Sequence, residues 1–272
     1  LALNKDNKNH KWEEAIKLEI DKLMEYKCFT DNGMHHRSKV PRGYRTIPGH
    51  LIFAVKHDGR FKARYVAGGH LTDTPLESVY SGVVSLKGLK TVIFLGELND
   101  MEAWGTDIGN AYLNAKTSEK VGIIAGGEFE RFGLKGHLLL VDKALYGLKS
   151  SGKRFNELLA ICLKSIGFER SKCEDDIWYR KCPTAEVYEY IATYVDDLCI
   201  VMKDPKSLIV ILEGPEHKFT LQGTGPLNFH LGCGFVRDST GTLCMNAGKY
   251  VKKMEESYKQ IFKCSPPHSN VL

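Results

Sequence analysis

The sequence predicts an α+β fold organised around an antiparallel sheet. Apolar β-prone runs and amphipathic helical stretches mix along the 272 residues without the regular strand–helix–strand rhythm that a parallel sheet requires. A hydrophobic content of 43% is sufficient for one large domain or two smaller ones. The formal net charge of +5 is compatible with a phosphate-rich partner but does not require one.

The amino-terminal elements are predicted from periodicity and turn chemistry. Apolar residues at helical spacing indicate an amphipathic first helix: Trp12, Ile16, Ile20 and Leu23. Residues 32–50 are rich in Gly, Pro, Arg and His, which is typical of a loop. Residues 51–56 and 60–66 are extended runs on either side of an Asp58-Gly59 turn, which predicts a β-hairpin.

The second strand of this hairpin carries a basic residue at every other position. Arg60, Lys62 and Arg64 therefore share one face. Lysine and arginine protect exposed sheet edges, and the same pattern would also bind phosphate groups. Taken alone, the pattern favours a protected edge strand.

The remaining elements are predicted in the same way. They are a buried helix at 83–99, a strand running into a helical turn at 104–113, a strand pair at 120–146, a helix at 150–166, a hairpin at 187–202, a helix at 206–219 interrupted at Gly214-Pro215, a strand pair at 227–246 and a basic helix from residue 248. No apolar run reaches transmembrane length. The eight cysteines contain no CxxC pair, which argues against a structural zinc site and is typical of a reducing, intracellular compartment.

Two adjacent acids, Asp196 and Asp197, lie between the apolar strands of the hairpin at 187–202. Neighbouring carboxylates repel each other, and an ordinary tight turn would prefer Asn-Gly or Asp-Gly. Oxygen ligation of a divalent cation such as Mg²⁺ would compensate this repulsion, and a solvent-exposed acidic turn is the alternative. A metal site would need a third acid, for which Asp107 at the end of a predicted strand is the best candidate, with the carbonyl of Ile108 beside it.

Six further blocks are informative through their order along the chain: Phe61–Gly69, Tyr80–Leu86, Thr106–Leu113, Lys143–Ser151, Tyr194–Asp197 and His230–Gly232. They resemble, respectively, the K-A-R-L-V-A-x-G, S-P-V-V, first-aspartate, K-A-L-Y-G-L-K-Q-S, Y-x-D-D and F-L-G motifs of copia-type retrotransposon reverse transcriptases. Any one block is a weak signal, whereas all of them in the family's order are highly specific. Gly82, Ser150, Gly152 and Phe155 depart from the family's proline, glutamine, proline and tryptophan, which we interpret as subfamily variation.

The resemblance implies a right-hand polymerase fold with an antiparallel palm sheet. The fingers would cover approximately 1–100 and 115–170, the palm 101–114 and 171–245, and the start of a thumb 246–272. The implied enzyme is an RNA-directed DNA polymerase that copies RNA and DNA templates. It would transfer a nucleotide from a dNTP to a primer 3′-hydroxyl with two divalent metal ions, Mg²⁺ or alternatively Mn²⁺.

The resemblance also assigns residue roles by position. Asp107, Asp196 and Asp197 match the catalytic, metal-binding carboxylates, and the Ile108 carbonyl would face a metal. Nucleotide-binding positions are matched by Lys56, Lys62, Arg64, Tyr112, Tyr146 and Gly147. Among these, Arg64 would pack on the incoming nucleotide. Tyr112 would be the steric gate that excludes ribonucleotides; alternatively, it is an aromatic residue of the hydrophobic core. Primer and template contacts are assigned to Leu231, Gly232, Lys249, Lys252 and Lys253, although a solvated helix face explains the three lysines equally well.

The implied partners are an RNA template, a DNA primer or RNA–DNA hybrid, and a dNTP, with no membrane. We expect the chain to be part of a larger pol polyprotein with protease, integrase and RNase H regions, located in the cytoplasm in virus-like particles. A catalytically inactive or domesticated nucleic-acid-binding remnant is the alternative. An unrelated metal-dependent phosphotransferase would not explain the ordered blocks.

Overall fold

The structure, a computed structural model, describes residues 9–36, 40–56, 59–73 and 79–267, and only the backbone of Lys249. The chain divides into two compact units. Unit 1 comprises residues 1–81 and 110–165, and unit 2 comprises residues 82–109 and 166–272.

Unit 1 combines helices with two groups of strands. Elements are numbered along the whole chain, so the numbers missing here belong to unit 2. In chain order its elements are α1 (Lys11–Glu25), β1 (Phe29–Met34), β2 (Arg45–Ile47), β3 (Gly49–Val55), β4 (Phe61–Ala67), α3 (Ala111–Asn114), β6 (Val121–Ile124), β7 (His137–Val141) and α4 (Ser151–Ser165), with short 3₁₀ helices at Gly69–Leu71 and Gly127–Phe132. One sheet has the order β1-β7-β6-β2, in which β2 and β6 are parallel and the other neighbours antiparallel. Strands β3 and β4 form a separate antiparallel pair.

The core of unit 1 joins α1 and β4 to the four-stranded sheet. Tyr65 and Phe129 meet edge to face with ring centroids 5.4 Å apart. The buried carboxylate of Glu19 on α1 accepts the Tyr65 backbone N–H at 3.0 Å and is paired with Lys22. A buried charge needs such partners, so Glu19 fixes α1 against β4.

The loop before α4 is fastened at both ends by hydrogen bonds. The Ala67 N–H donates to the Tyr146 carbonyl oxygen at 2.8 Å. Gly147 follows with a φ of 91°, and a Cβ at this position would overlap the Ala67 carbonyl oxygen. Because of this close approach, only glycine fits at position 147. At the other end, the Ser150 N–H and hydroxyl donate to the Glu119 carboxylate at 2.8 and 2.7 Å.

Unit 2 contains the large antiparallel sheet. In chain order its elements are α2 (Leu86–Leu98), β5 (Glu102–Ile108), β8 (Glu169–Arg170), β9 (Ile177–Lys181), β10 (Tyr188–Tyr194), β11 (Asp197–Met202), α5 (Pro205–Glu213), β12 (Leu221–Pro226), β13 (Phe229–His230), β14 (Cys233–Arg237), β15 (Leu243–Asn246) and α6 (Gly248–Phe262). The six-stranded sheet has the order β12-β5-β11-β10-β9-β8 with every neighbour antiparallel, and β13-β14-β15 form a smaller sheet. Helix α2 begins after Ser85, whose side chain accepts the Gly88 N–H, and packs on β10 and β11.

The hairpin between β13 and β14 turns at Leu231 and Gly232, whose φ angles are 48° and 83°. Two consecutive left-handed residues are typical of a type I′ turn. The preceding His230 is 5% exposed, and its Nε2 has no hydrogen-bond partner among the described residues. Burial lowers the pKa of His230 to about 4.

Most of the predicted elements are confirmed, including the antiparallel sheet and both hairpins, although Asp58 of the first turn lies outside the described residues. The loop predicted over 32–50 is wrong in part, because β1 extends to Met34 and β2 pairs with β6. Strand β12 was not predicted, since its Gly- and Pro-containing sequence has low strand propensity and becomes extended only beside β5. In the described part of the chain, no helix is both long and apolar enough to cross a bilayer.

We predict that Gly147→Ala destabilises the protein more than Gly133→Ala does. Both glycines have left-handed φ angles, of 91° and 71°, but a Cβ at Gly133 meets open space. The steric overlap at Gly147 should add about 1–3 kcal/mol to the conformational cost that both variants share. Urea unfolding of the two variants measures the difference, and equal losses would contradict the close approach to Ala67.

We also predict that His230 lowers the stability of the folded chain at acid pH. Its pKa is about 4 in the folded chain against an ordinary histidine value of 6.5, so the unfolded chain binds the proton more readily between these values. Stability should therefore fall as the pH drops from 6.5 towards 4, by roughly 3 kcal/mol in total. His230→Phe should flatten this dependence in urea titrations, and His70→Phe, at an exposed position, is the control. If stability depends on pH in His230→Phe as it does in the wild type, His230 is not the cause of the dependence.

Candidate functional site

The acidic hairpin is formed by β10 and β11, in which Tyr194 pairs with Asp197 across a turn of Val195 and Asp196. The strands beside the turn are almost entirely buried, so they hold it rigidly. Val195 has a φ of 57°, which is a strained conformation for a β-branched residue. Such strain costs of order 1–3 kcal/mol and tends to persist at functional sites.

Asp107 lies at the end of β5, directly opposite Asp197 of β11. Residues opposite each other in an antiparallel pair share a face, with Cβ atoms roughly 5 Å apart. The Ile108 N–H donates to the Asp196 carbonyl oxygen at 2.8 Å, which ties the turn to the same strand. The structure therefore brings the three predicted acids together from segments about 90 positions apart in sequence. Their chemical role remains a prediction.

The carboxylates of this cluster repel one another. Burial raises the pKa of Asp197 to about 6, and the neighbouring carboxylates of Asp196 and Asp107 add to the effect. Each neighbour disfavours a further negative charge on Asp197. A cation placed at the cluster would reverse this effect, because it favours the ionised carboxylates.

The donor chemistry fits a divalent cation of the Mg²⁺ class, because carboxylate and carbonyl oxygens are its preferred ligands. Within the described residues, no three acidic, histidine or cysteine side chains are already gathered as a metal-binding group. These two observations are compatible, because Mg²⁺ usually takes only one or two protein carboxylates and completes its coordination with water and substrate phosphates. Binding of a cation by this cluster remains a prediction.

Gln222 is a residue of this face that the sequence did not predict. It pairs with Asp107 from β12, the strand on the other side of β5. The paired positions Gln222, Asp107, Asp197 and Tyr194 form one row across the sheet. The Gln222 amide also closes the space above Gly109, where a Cβ would lie 2.8 Å from its Nε2. Only strand register reveals this neighbour, so no sequence signal could have found it.

The basic strand β4 in unit 1 separates its two faces clearly. Ala63, Tyr65 and Ala67 are buried, whereas Arg64 is exposed and Lys62 half-buried on the opposite face. Burial, followed by the charges of Arg64 and Lys56, lowers the pKa of Lys62, so these cations lie close enough to repel. The backbone N–H groups of Tyr65 and Ala67 are bonded to Glu19 and Tyr146, which weakens the explanation that β4 is a protected free edge.

Three of the predicted nucleotide-binding residues stack on one another in unit 1. The Arg64 guanidinium lies over the Tyr146 ring, with its Cζ atom 4.8 Å from the ring centroid. The Tyr146 and Tyr112 centroids are 5.1 Å apart, and Tyr112 in turn contacts Phe155 at 6.4 Å. Gly147 lies directly after Tyr146 in the fastened loop.

The predicted primer contacts occupy the smaller sheet of unit 2 and the helix that follows it. Leu231 and Gly232 form the turn between β13 and β14. Lys252 and Lys253 are exposed on α6, and the side chain of Lys249 lies outside the described residues. The nucleic-acid role of these residues remains a prediction.

Comparisons with known proteins identify the family of the chain. Residues 32–265 match the family described as "Reverse transcriptase (RNA-dependent DNA polymerase)". The chain is 27% identical over 243 residues to the "Retrovirus-related Pol polyprotein from transposon TNT 1-94" of Nicotiana tabacum, a match that covers 86% of this chain and 18% of the relative. It is 30% identical over 209 residues to the "Transposon Ty1-LR2 Gag-Pol polyprotein" of Saccharomyces cerevisiae, covering 75% and 11%.

The chain thus spans less than a fifth of the length of these polyproteins. The family match covers most of the chain and includes Asp107, Asp196 and Asp197. The family described is also the enzyme class that the sequence predicted. The chain belongs to the reverse transcriptase (RNA-dependent DNA polymerase) family, as a domain of the copia type.

Proposed function

We propose that this chain is the polymerase domain of a copia-type reverse transcriptase, which copies RNA and DNA templates into DNA. The observation that carries the proposal is the register that sets Asp107 opposite Asp197, beside the strained turn at Asp196. Family membership and the order of the motifs support it.

Membership of the reverse transcriptase family supports a right-hand polymerase fold. We assign the six-stranded sheet of unit 2 to the palm and the bulk of unit 1 to the fingers. Residues 82–100, expected in the fingers, group with unit 2 because α2 packs on the sheet, so we include them with the palm. Residues 246–272, which contain α6, would begin the thumb.

The proposed reaction is in-line attack of a primer 3′-hydroxyl on the α-phosphate of a dNTP. The 3′-hydroxyl loses its proton to solvent, a bond forms between the 3′-oxygen and the α-phosphorus, the bond to the bridging oxygen breaks, and pyrophosphate leaves. Asp107, Asp196 and Asp197, with the Ile108 carbonyl, would hold two divalent ions, Mg²⁺ or Mn²⁺. When bound, these ions lower the pKa of the attacking hydroxyl and stabilise the leaving group.

The chain's own residues would bind and orient the nucleotide. Lys56, Lys62 and Arg64 would hold the triphosphate, since cations on one face match its oxygen-rich tail and an arginine can bind two phosphate oxygens at once. Tyr112 would set the space beside the sugar and exclude a 2′-hydroxyl. Tyr146 and Gly147 would shape the loop that flanks the nucleotide.

Nucleic-acid and polyprotein partners complete the proposal. Leu231 and Gly232 would contact the primer, and Lys249, Lys252 and Lys253 the phosphate backbone. Relatives named Pol and Gag-Pol polyproteins support a larger polyprotein context with protease, integrase and RNase H regions. We accordingly propose a cytoplasmic location in virus-like particles.

We predict that Asp196→Asn lowers primer extension at least about 100-fold while duplex binding stays nearly unchanged. The substitution removes a carboxylate charge from the proposed cation site but keeps the side-chain shape. Extension of a labelled primer on RNA and DNA templates with Mg²⁺ or Mn²⁺ measures the rate, and filter binding measures affinity. Glu186→Gln, at a side chain that is 89% exposed, is the matched control and should match wild type.

The same assay tests the alternative of an inactive remnant. A wild-type chain that binds primer–template but adds no nucleotide with either metal would be a remnant. Equal activity of Asp196→Asn and wild type would remove Asp196 from the catalytic set.

We further predict that Tyr112→Ala admits ribonucleotides. Removing the ring opens space for the 2′-hydroxyl, so the preference for dNTP over rNTP should fall by at least about tenfold, worth roughly 1.4 kcal/mol. Tyr112→Phe should keep the preference, because the ring remains. The ratio of kcat/KM for the two sugars is the measurement, with Tyr188→Ala, a half-exposed tyrosine, as control. Unchanged discrimination in Tyr112→Ala would refute the gate.

A further inference from the structure

Tyr146 occupies the middle of the stack in unit 1. Arg64 lies over its ring at 4.8 Å, and Tyr112 lies 5.1 Å from it at an interplanar angle of 51°. The residue proposed to bind the triphosphate and the residue proposed to exclude the 2′-hydroxyl therefore contact the same ring. Phe155, which is buried in α4, closes the far end of the stack against Tyr112.

The backbone that carries the Tyr146 ring is held by contacts within unit 1. Its carbonyl oxygen accepts the Ala67 N–H from the end of β4, and the following Gly147 fits closely against the same strand. Further along the loop, the Lys149 ammonium donates to the Thr72 carbonyl oxygen at 2.6 Å. Because the loop is anchored at several points, Tyr146 is a fixed reference for its two neighbours.

The elements that carry Arg64 and Tyr112 restrain these two side chains only weakly. Arg64 is exposed on β4, and a free arginine side chain samples many rotamers, which lowers its affinity for any one ligand. Tyr112 belongs to a helix of only four residues, preceded by Asn110 with a left-handed φ of 53°. A cation over an aromatic face and an aromatic pair each favour a single placement.

We propose that Tyr146 is a positioning residue that couples triphosphate binding by Arg64 to sugar discrimination by Tyr112. The proposal rests on the function proposed above for these two residues. Loss of the ring would release both side chains at once, so nucleotide affinity and sugar selectivity would fall together. A tyrosine that only stacked on the nucleotide would act independently of Arg64.

The test compares Tyr146→Leu with Tyr146→Phe in the full chain. Tyr146→Leu should raise the KM for dNTP about 3- to 30-fold, the range expected for one cation–π contact, while kcat changes less than about twofold. It should also lower the dNTP-to-rNTP preference several-fold. Tyr146→Phe keeps the ring and should behave like wild type in both measurements.

A double-mutant cycle separates positioning from direct contact. In an Arg64→Ala background, Tyr146→Leu should change the KM less than about twofold, because the residue it orients is absent. An undiminished effect in that background would overturn the proposal. If Tyr146→Leu fails to fold, Tyr146→Met, which also removes the ring but keeps a long apolar side chain, takes its place, and an unchanged KM and sugar preference in that variant would overturn the proposal.

A second measurement needs no catalysis. The Tyr146 ring should shift the Arg64 side-chain NMR resonances upfield in the wild type and in Tyr146→Phe, but not in Tyr146→Leu. The absence of this shift in the wild type would refute the stack itself. Presence of the shift in a chain without polymerase activity would instead refute the proposed function, so the two failures are distinguishable.

Discussion

The antiparallel pairing of β5 with β11 is the interaction on which the candidate site depends, because it holds Asp107 opposite Asp197. The two carboxylates repel each other, and this repulsion adds to burial in raising the pKa of Asp197. Burial of Leu198, Ile200 and Val201 on the same strand opposes this, with each side chain contributing about 1.5–3 kcal/mol. The apolar strands therefore hold together a pair of acids that would otherwise separate.

Unit 1 achieves the same kind of preorganisation with backbone contacts. The Ala67–Tyr146 hydrogen bond and the close approach at Gly147 join a strand end to a loop that is about 80 positions away in sequence. The side chains of Arg64, Tyr146 and Tyr112 then stack on a scaffold whose own position is fixed. Preorganised groups lose less conformational entropy on binding, so this scaffold would favour the nucleotide binding proposed for these residues.

Local patterns allowed much of this architecture to be predicted from the sequence. The hairpin at 187–202 and the strand ending at Asp107 follow from apolar runs and an unusual acidic turn, and both are present. What the sequence could not supply is register. Gln222 lies beside Asp107 only because β12 pairs with β5, and β2 is a strand only because it lies beside β6. Pairing between distant segments is decided by tertiary context, which local propensity does not contain.

The departures from the copia pattern bear on whether the site is intact. Gly82 stands where the family has proline, and a Cβ there would overlap the buried Asp176 carboxylate, which also faces the Thr193 hydroxyl beside the acidic hairpin. Ser150, in place of glutamine, adds a hydroxyl hydrogen bond to the Glu119 carboxylate at 2.7 Å, beside the bond from its backbone N–H, and so helps to fasten the loop that carries Tyr146. Phe155, in place of tryptophan, supports Tyr112.

Substitutions that accumulate without selection have no reason to fit their surroundings, whereas each of these three is matched by a neighbour that uses it. Random core and near-core changes mostly destabilise, by about 0.5–3 kcal/mol each. Matched replacements around the acids and the aromatic stack therefore argue that this part of the fold has been kept under selection, which supports the proposed polymerase over a decaying remnant.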